Sequence, residues 1–337
     1  MKLKIHDPGP DAWDKIVSEC DYATFFHSRA WSEVICRTFP HLRDASKLIE
    51  LPDGRTVVFP ILRSSVGFHH AEALHSMWPG VYGGPVSQSP LAPSDFEAVF
   101  RAVFPVRGVW KPLPRRVLLG SPLQENVPPS IIATDTLRSY LVPLDGGIDK
   151  VWANASSEFR RKVRQSEKAG VSVHRASERE HIMEYFSVYE DSLRRWGERA
   201  TSRYPRALFE NLFEKSHSES MSRRIDIWLA WLQGRVSAGA IVLRQGQHAV
   251  SWHAVTRESD FKARPANALQ MAILQDACAS DFRWYDLNPS GGHEGSTRFK
   301  LSMGAQEHAV PLMEIGSNLP SRAAAVLSRL ARKIKAA

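Results

Sequence analysis

The stretch that decides the reading runs RWYDLN (283–288), PSGGHEG (289–295) and STRFKLSMG (296–304). A compact strand ending in Asp286 and Asn288 runs into a loop of turn formers, Pro289, Gly291, Gly292 and Gly295. A short amphipathic helix then brings Phe299 and Lys300 back beside the strand. Carboxylate, amide, imidazole and ammonium groups therefore gather at a strand's carboxyl end, where open α/β sheets bind ligands. The layout predicts a polar pocket rather than a core.

Upstream of this stretch the elements fall in a fixed order. Val171 to His174 reads as a strand, and Glu178 to Trp196 as a helix with Ile182, Tyr185, Phe186 and Tyr189 at helical spacing. Tyr204 to Lys215 is a second helix with Leu208, Leu212 and Phe213 on one face. Strands over Ile225–Trp231, Val236–Leu243 and Ala249–Val255 are joined by short turns at Gln233-Gly234 and Gln245-Gly246-Gln247, which makes them antiparallel neighbours. A helix from Asn267 to Ala279, the strand at 283–288, the helix at 296–304 and a strand from Val310 to Ile315 complete the series. This order resembles the acyl-CoA N-acyltransferase, or GNAT, arrangement. The resemblance implies a parallel strand pair that splays under a crossover helix and leaves a V-shaped gap for an acyl carrier.

Residues 1–145 read as a divergent copy of the same plan. Helices are expected near Asp11–Glu19, Ser28–Phe39 and Ser94–Phe104, with strands at Ala45–Leu51, Arg55–Ser64, Ala73–Trp78, Arg116–Leu119 and Leu137–Val142. Residues 146–170 are bridging helices, 171–318 form the second GNAT-like domain with the cleft, and 319–337 a basic amphipathic helix. The fold class is thus α/β (α+β), with tandem GNAT-like domains, each a twisted mixed sheet flanked by helices.

Composition narrows the function classes. With 337 residues, 43% hydrophobic and 24% charged, the chain suits about two globular domains. No apolar run reaches the roughly 20 residues of a spanning helix, and the first residues lack an apolar leader core, so a cytoplasmic protein is expected. Cys20, Cys36 and Cys278 are too scattered for a disulfide framework or a cysteine metal site, and no HExxH or GxSxG spacing occurs. No metal is expected. Of the net charge of +8, five units lie in Arg322, Arg329, Arg332, Lys333 and Lys335. A second basic patch, EFRRKVRQSEK (158–168), holds Arg160, Arg161, Lys162 and Arg164. Two such patches on a near-neutral body suit a polyanion: nucleic acid, a phosphate-rich substrate or an anionic lipid surface. Each also reads as an ordinary solvated face.

Five segments together resemble the Fem aminoacyltransferases and their GNAT-like relatives: FFHSRAWSEVI (25–35), DGRTVVFPIL (53–62), SMWPGVYGGPV (76–86), SSEFRRKVRQSEKAGVSV (156–173) and RFKLSMGA (298–305). The resemblance implies acylation of an amine, the family's characterised members moving an amino acid from aminoacyl-tRNA to a peptidoglycan precursor. Lys300 matches the lysine the family places at its reaction centre, which implies an ammonium that stabilises either the tetrahedral oxyanion or the leaving oxygen. Glu294 and His293 are the candidate bases, and Asp286, Asn288, Arg298, Phe299, Trp252 and His253 the candidate substrate-binding residues. For the donor's phosphates or tRNA the candidates are Lys262, Arg264 and Asn267, with Arg160, Arg161, Lys162 and Arg164. The segment DFKARPANALQ (260–270) lacks the glycine loop with which acetyl-CoA enzymes of this fold hold pyrophosphate, so the donor is either aminoacyl-tRNA or acyl-CoA, with no tightly bound cofactor. Expected partners are an amine acceptor, tRNA and the inner face of an anionic membrane, for a monomeric protein. The rival class is a non-catalytic GNAT-like module that binds RNA or a membrane surface.

Overall fold

The computed structural model describes residues 3–66, 71–77, 81–103, 116–124, 137–200, 203–218, 224–280, 282–290, 294–310 and 312–315. The basic helix read from Ser321 onward and the loop residue His293 lie outside the described residues.

The first half contains β1 (Lys4–His6), α1 (Pro10–Glu19), α2 (Arg29–Thr38), β2 (Leu42–Asp44), β3 (Lys47–Glu50), β4 (Thr56–Phe59), β5 (Leu62–Val66), β6 (Ala71–His75), β7 (Val86–Ser87), α3 (Pro93–Val103) and β8 (Arg116–Leu119). They form two small antiparallel sheets, β1-β3-β4-β7 and β2-β5-β6. Ala45–Leu51 holds the single strand β3, whereas Arg55–Ser64 is divided between β4 and β5. Ser46 turns its N–H and hydroxyl onto the Asp44 carboxylate at 3.0 and 2.6 Å, and Pro60 has no N–H for a ladder.

The second half adds β9 (Leu137–Pro143), α4 (Gly147–Asn154), α5 (Ser157–Lys168), β10 (Ser172–Arg175), α6 (Arg179–Trp196), α7 (Arg206–Ser216), β11 (Ile225–Leu232), β12 (Arg235–Gln245), β13 (His248–Thr256), α8 (Pro265–Ala279), β14 (Trp284–Asp286), α9 (Glu294–Ser302), β15 (Gln306–Val310) and β16 (Leu312–Ile315). A seven-stranded sheet runs β10-β11-β12-β13-β14-β9-β15. Within it β13 and β14 are parallel, joined by α8 as the sequence predicts. The tandem GNAT arrangement is present, but the boundary expected at residue 145 does not separate the sheets. β9, read as part of the first half, lies between β14 and β15, while β16 returns to pair with β8. The physical reason is burial: Ser139 to Val142 are covered on both faces, which only an interior strand provides.

Local chemistry starts the helices where the sheet needs them. The Ser28 and Ser156 hydroxyls accept the N–H groups of Trp31 and Phe159 and cap α2 and α5. Alternation in β11 then divides the core. Ile225, Ile227 and Leu229 face α6, α7 and the α2 residue Trp31, whereas Trp228 and Ala230 face α5 and α8. The sheet is therefore buried on both sides, and what remains open is the gap between its parallel strands.

Candidate acyl-transfer site

β13 and β14 pair at only three positions, His248↔Trp284, Ala249↔Tyr285 and Val250↔Asp286. Beyond Val250, β13 continues to Thr256, while Leu287 turns its N–H to the Tyr140 carbonyl on β9 at 2.9 Å. The strands part there. β13 also bulges at that point: Ile241 faces His253 and Val242 faces Ser251, leaving Trp252 as the extra residue.

Lys300 closes the mouth of this gap. α9 carries it back over the end of β14, where its Nζ donates to the Asn288 carbonyl at 2.6 Å and lies 5.5 Å from the centre of the Tyr140 ring. Burial lowers the Lys300 pKa to about 8, against an upward pull from the Asp286 carboxylate. Of the three ammonium donors, one is used by Asn288, which leaves donors for an oxygen in the gap. Asp286 is fully buried; its Oδ1 accepts from the Ser139 hydroxyl at 2.8 Å and from the Asn288 N–H at 2.7 Å. Asn288 stands at a left-handed φ of 58° and donates its side-chain N–H to the Ser251 carbonyl at 3.1 Å, bridging the two splayed strands.

The other expected site residues divide. Phe299 is half-buried against Phe159 of α5, so it packs α9 down. Arg298 and Glu294 are exposed on α9. Trp252 and His253 face the α6–α7 side. Trp252 packs on Trp31, Tyr204 and Phe209. His253 Nδ1 is hydrogen-bonded with the Tyr185 hydroxyl at 2.6 Å, and burial drives its pKa down to about 3. A neutral His253 in an aromatic box, and a Trp252 beside it, form one apolar wall of the gap.

The basic residues are partly spent within the fold. Arg160 Nη1 donates to the carbonyls of Trp152, Ala153 and Ala155 at 2.6 to 3.1 Å and clamps the end of α4. Lys162 pairs with Glu158 at 2.6 Å, and Arg164 lies 5.7 Å from the Trp152 ring centre. Arg161 and Arg164 remain exposed. The Gln165 side chain donates to the Lys262 carbonyl at 2.9 Å, which sets α5 beside the start of α8. There Arg264 is left-handed, with φ 58°, ahead of Pro265, and Asn267 is buried with its Nδ2 unpartnered among the described residues. Asn267 is thus not the cap of α8.

Sequence reading missed Ser139, Tyr82 and Tyr140. Nothing in the segment 76–86 marks Tyr82 as part of the site, and the strand with Ser139 and Tyr140 reads as part of the first half. A separate cleft of about 620 Å³ lies at the opposite, amino ends of β13 and β14, between Tyr22, Gln124, His248 and Trp284. Among the described residues no group of three or more His, Cys, Asp or Glu side chains could hold a metal ion.

Residues 153–301 match the family model of the acetyltransferase (GNAT) domain. Those residues form a GNAT-type acyltransferase domain. The solved structure of FemX superposes with a TM-score of 0.72 at 12% identity, covering 94% of this chain and 98% of that one. L-PGS from Bacillus licheniformis gives 0.55 at 11% identity, with 96% and 98% covered. A tandem GNAT protein from the clavulanic acid biosynthesis pathway gives 0.53 at 10%, with 94% and 100% covered. At such identities these neighbours share the fold. No curated protein sequence matches the chain.

Proposed function

We propose that the chain moves an acyl or aminoacyl group from a phosphate-bearing donor onto an amine, with the Lys300 ammonium stabilising the oxyanion of the tetrahedral intermediate. The carrying observation is Lys300 itself: a half-buried ammonium at the mouth of the splayed strand pair, with one donor fixed on Asn288. A fixed charge aimed where negative charge develops needs no reorganisation during the step. Trp252, backed by the buried Trp31, offers an apolar wall for the acceptor or acyl chain, and Lys262 and Arg264, just ahead of α8, are the cations proposed to meet a donor's phosphates. That segment has no glycine loop, which favours aminoacyl-tRNA over acetyl-CoA as donor. The fold shared with FemX and L-PGS supports a cell-envelope amine as acceptor, reached at the inner membrane face.

The test is a transfer assay with purified protein, charged tRNA or acetyl-CoA, and an amine-bearing envelope precursor, repeated with Lys300→Ala. Transfer from one donor, reduced by about 10²–10³ in the variant, is the expected result. Equal turnover by both proteins overturns the role of Lys300, and ligand binding without turnover favours a binding module.

A further inference from the structure

Asp286 is placed to act beyond the turn that it closes. Its Oδ1 accepts from Ser139 and from the Asn288 N–H, and the Tyr82 hydroxyl lies 2.7 Å from the same Ser139 oxygen. Ser139 has one hydroxyl proton and gives it to the carboxylate, so the Tyr82 hydroxyl must be the donor to Ser139. Tyr82 is fully buried, and burial holds its phenol well above the usual pKa, which keeps that proton in place. The order of donation is therefore fixed: Tyr82 to Ser139, Ser139 to Asp286.

The other end of the relay is a strained residue. Asn288 occupies a left-handed conformation, unfavourable for a non-glycine residue, and it stays there because the surroundings hold it. Two bonds do so, its N–H to Asp286 and its side chain to Ser251. In that conformation its carbonyl meets Lys300 Nζ at 2.6 Å. The groups facing Lys300 are the Asn288 carbonyl, the Tyr140 ring from β9 and, electrostatically, the Asp286 carboxylate from β14. Asp286 in turn is faced by His248 from β13, whose Nε2 lies 3.2 Å from Oδ2.

We propose that Asp286 is a positioning residue for Lys300, acting through Asn288, and that Tyr82 from the first half of the chain keeps Asp286 in place. The transfer centre is then set jointly by both halves, the first contributing an internal support rather than a second active cleft. This rests on the Lys300 reading above for its kinetic consequence, but the mechanical link can be measured without it.

Two readouts test the link in Asp286→Asn and Tyr82→Phe. One is the transfer rate. The other is the titration of the Lys300 amine, followed by competitive amine labelling across pH with mass spectrometry at that residue. Asp286→Asn is expected to lower the rate about 100-fold, as a misplacement near 1 Å does, and to move the Lys300 midpoint down. Tyr82→Phe, which keeps the ring, is expected to lower kcat about 10-fold at unchanged donor KM, with a smaller downward midpoint shift. Wild-type rate and wild-type Lys300 titration in folded Tyr82→Phe and Asp286→Asn overturn the proposal. If Asp286→Asn fails to fold, Tyr82→Phe decides alone. Should Lys300→Ala transfer normally while both variants still shift the Lys300 titration, the functional reading falls and the positioning link stands.

Discussion

The Lys300 ammonium is held by the main-chain carbonyl of Asn288, at 2.6 Å, and Asn288 is one of the non-glycine residues whose backbone is left-handed. A cation is therefore aimed by a strained peptide group. Among the described residues no side chain of opposite charge forms an ion pair with it, so it is available to a developing oxyanion.

Stability at alkaline pH reports on this group. With its pKa lowered to about 8 from an ordinary 10.5, folded Lys300 holds fewer protons than the unfolded chain between those values. The unfolded state binds more protons there, so this residue's contribution to stability rises with pH from about 8 to 10.5, and its burial is a cost below 8. Lys300→Met is expected to melt a few degrees higher than wild type at pH 7, with the difference shrinking by pH 10. Thermal melts of both proteins at the two pH values check it; a constant difference rejects it.

Gly239 on β12 supports the wall of the gap. A Cβ there would lie 2.5 Å from Cδ2 of the Tyr185 ring, which is fully buried and bonded to His253. Gly239→Ala is expected to cost about 1–3 kcal/mol through overpacking. Tyr185→Leu in the same chain should recover part of it, a non-additivity that urea midpoints of the four proteins would reveal.

Across the sheet Arg244 is 3% exposed and joins Asp226 at 2.7 Å and Asp276, while Arg175 pairs with the same two carboxylates at 3.0 and 2.5 Å. Burial pushes the Asp226 carboxyl up against the pull of both arginines. Removing one member strands a buried charge, so Arg244→Met is expected to cost about 3–5 kcal/mol, and adding Asp226→Leu to regain a large share. Denaturant titration of the single and double variants distinguishes this lattice from a surface pair, whose loss costs at most about 1 kcal/mol.

His27 makes the fold acid-sensitive. Burial lowers its pKa to about 4, and its Nδ1 accepts the Thr24 N–H at 3.0 Å. Between pH 6.5 and 4 the unfolded chain takes up a proton that the folded one refuses, so stability falls with pH by up to about 1.4 kcal/mol per unit from this residue. His27→Gln is expected to remove that slope. Urea unfolding at pH 7, 6 and 5 gives the answer, and an unaltered slope in the variant would assign the sensitivity elsewhere.

The second half was legible because its turns are local. Gln233-Gly234 and Gln245-Gly246-Gln247 join β11, β12 and β13 as read, with Gln233, Gly234 and Gly246 at positive φ. β9 was assigned to the wrong sheet because alternation tells which face of a strand is buried and not which strand lies beside it. Val310–Ile315 was likewise read as one strand, whereas β15 pairs with β9 and β16 with β8. Charge misled in the same way. Arg160 reads as one more cation in a patch, and only the fold turns its guanidinium onto the carbonyls of α4. His253 beside Trp252 reads as polar chemistry, and only the packing of Tyr185, Tyr189 and Phe209 makes it an apolar wall.

The place of β9 between β14 and β15 has a consequence for synthesis. Pro143 leaves the ribosome ahead of its partner Trp284 by the whole stretch between them, on the order of ten seconds at ordinary elongation rates. During that interval β9 carries two open edges, and no described strand of the first half pairs with it. Neither half is then a self-sufficient folding unit. The sheet over which α9 carries Lys300 reaches its final form only after β15 has emerged.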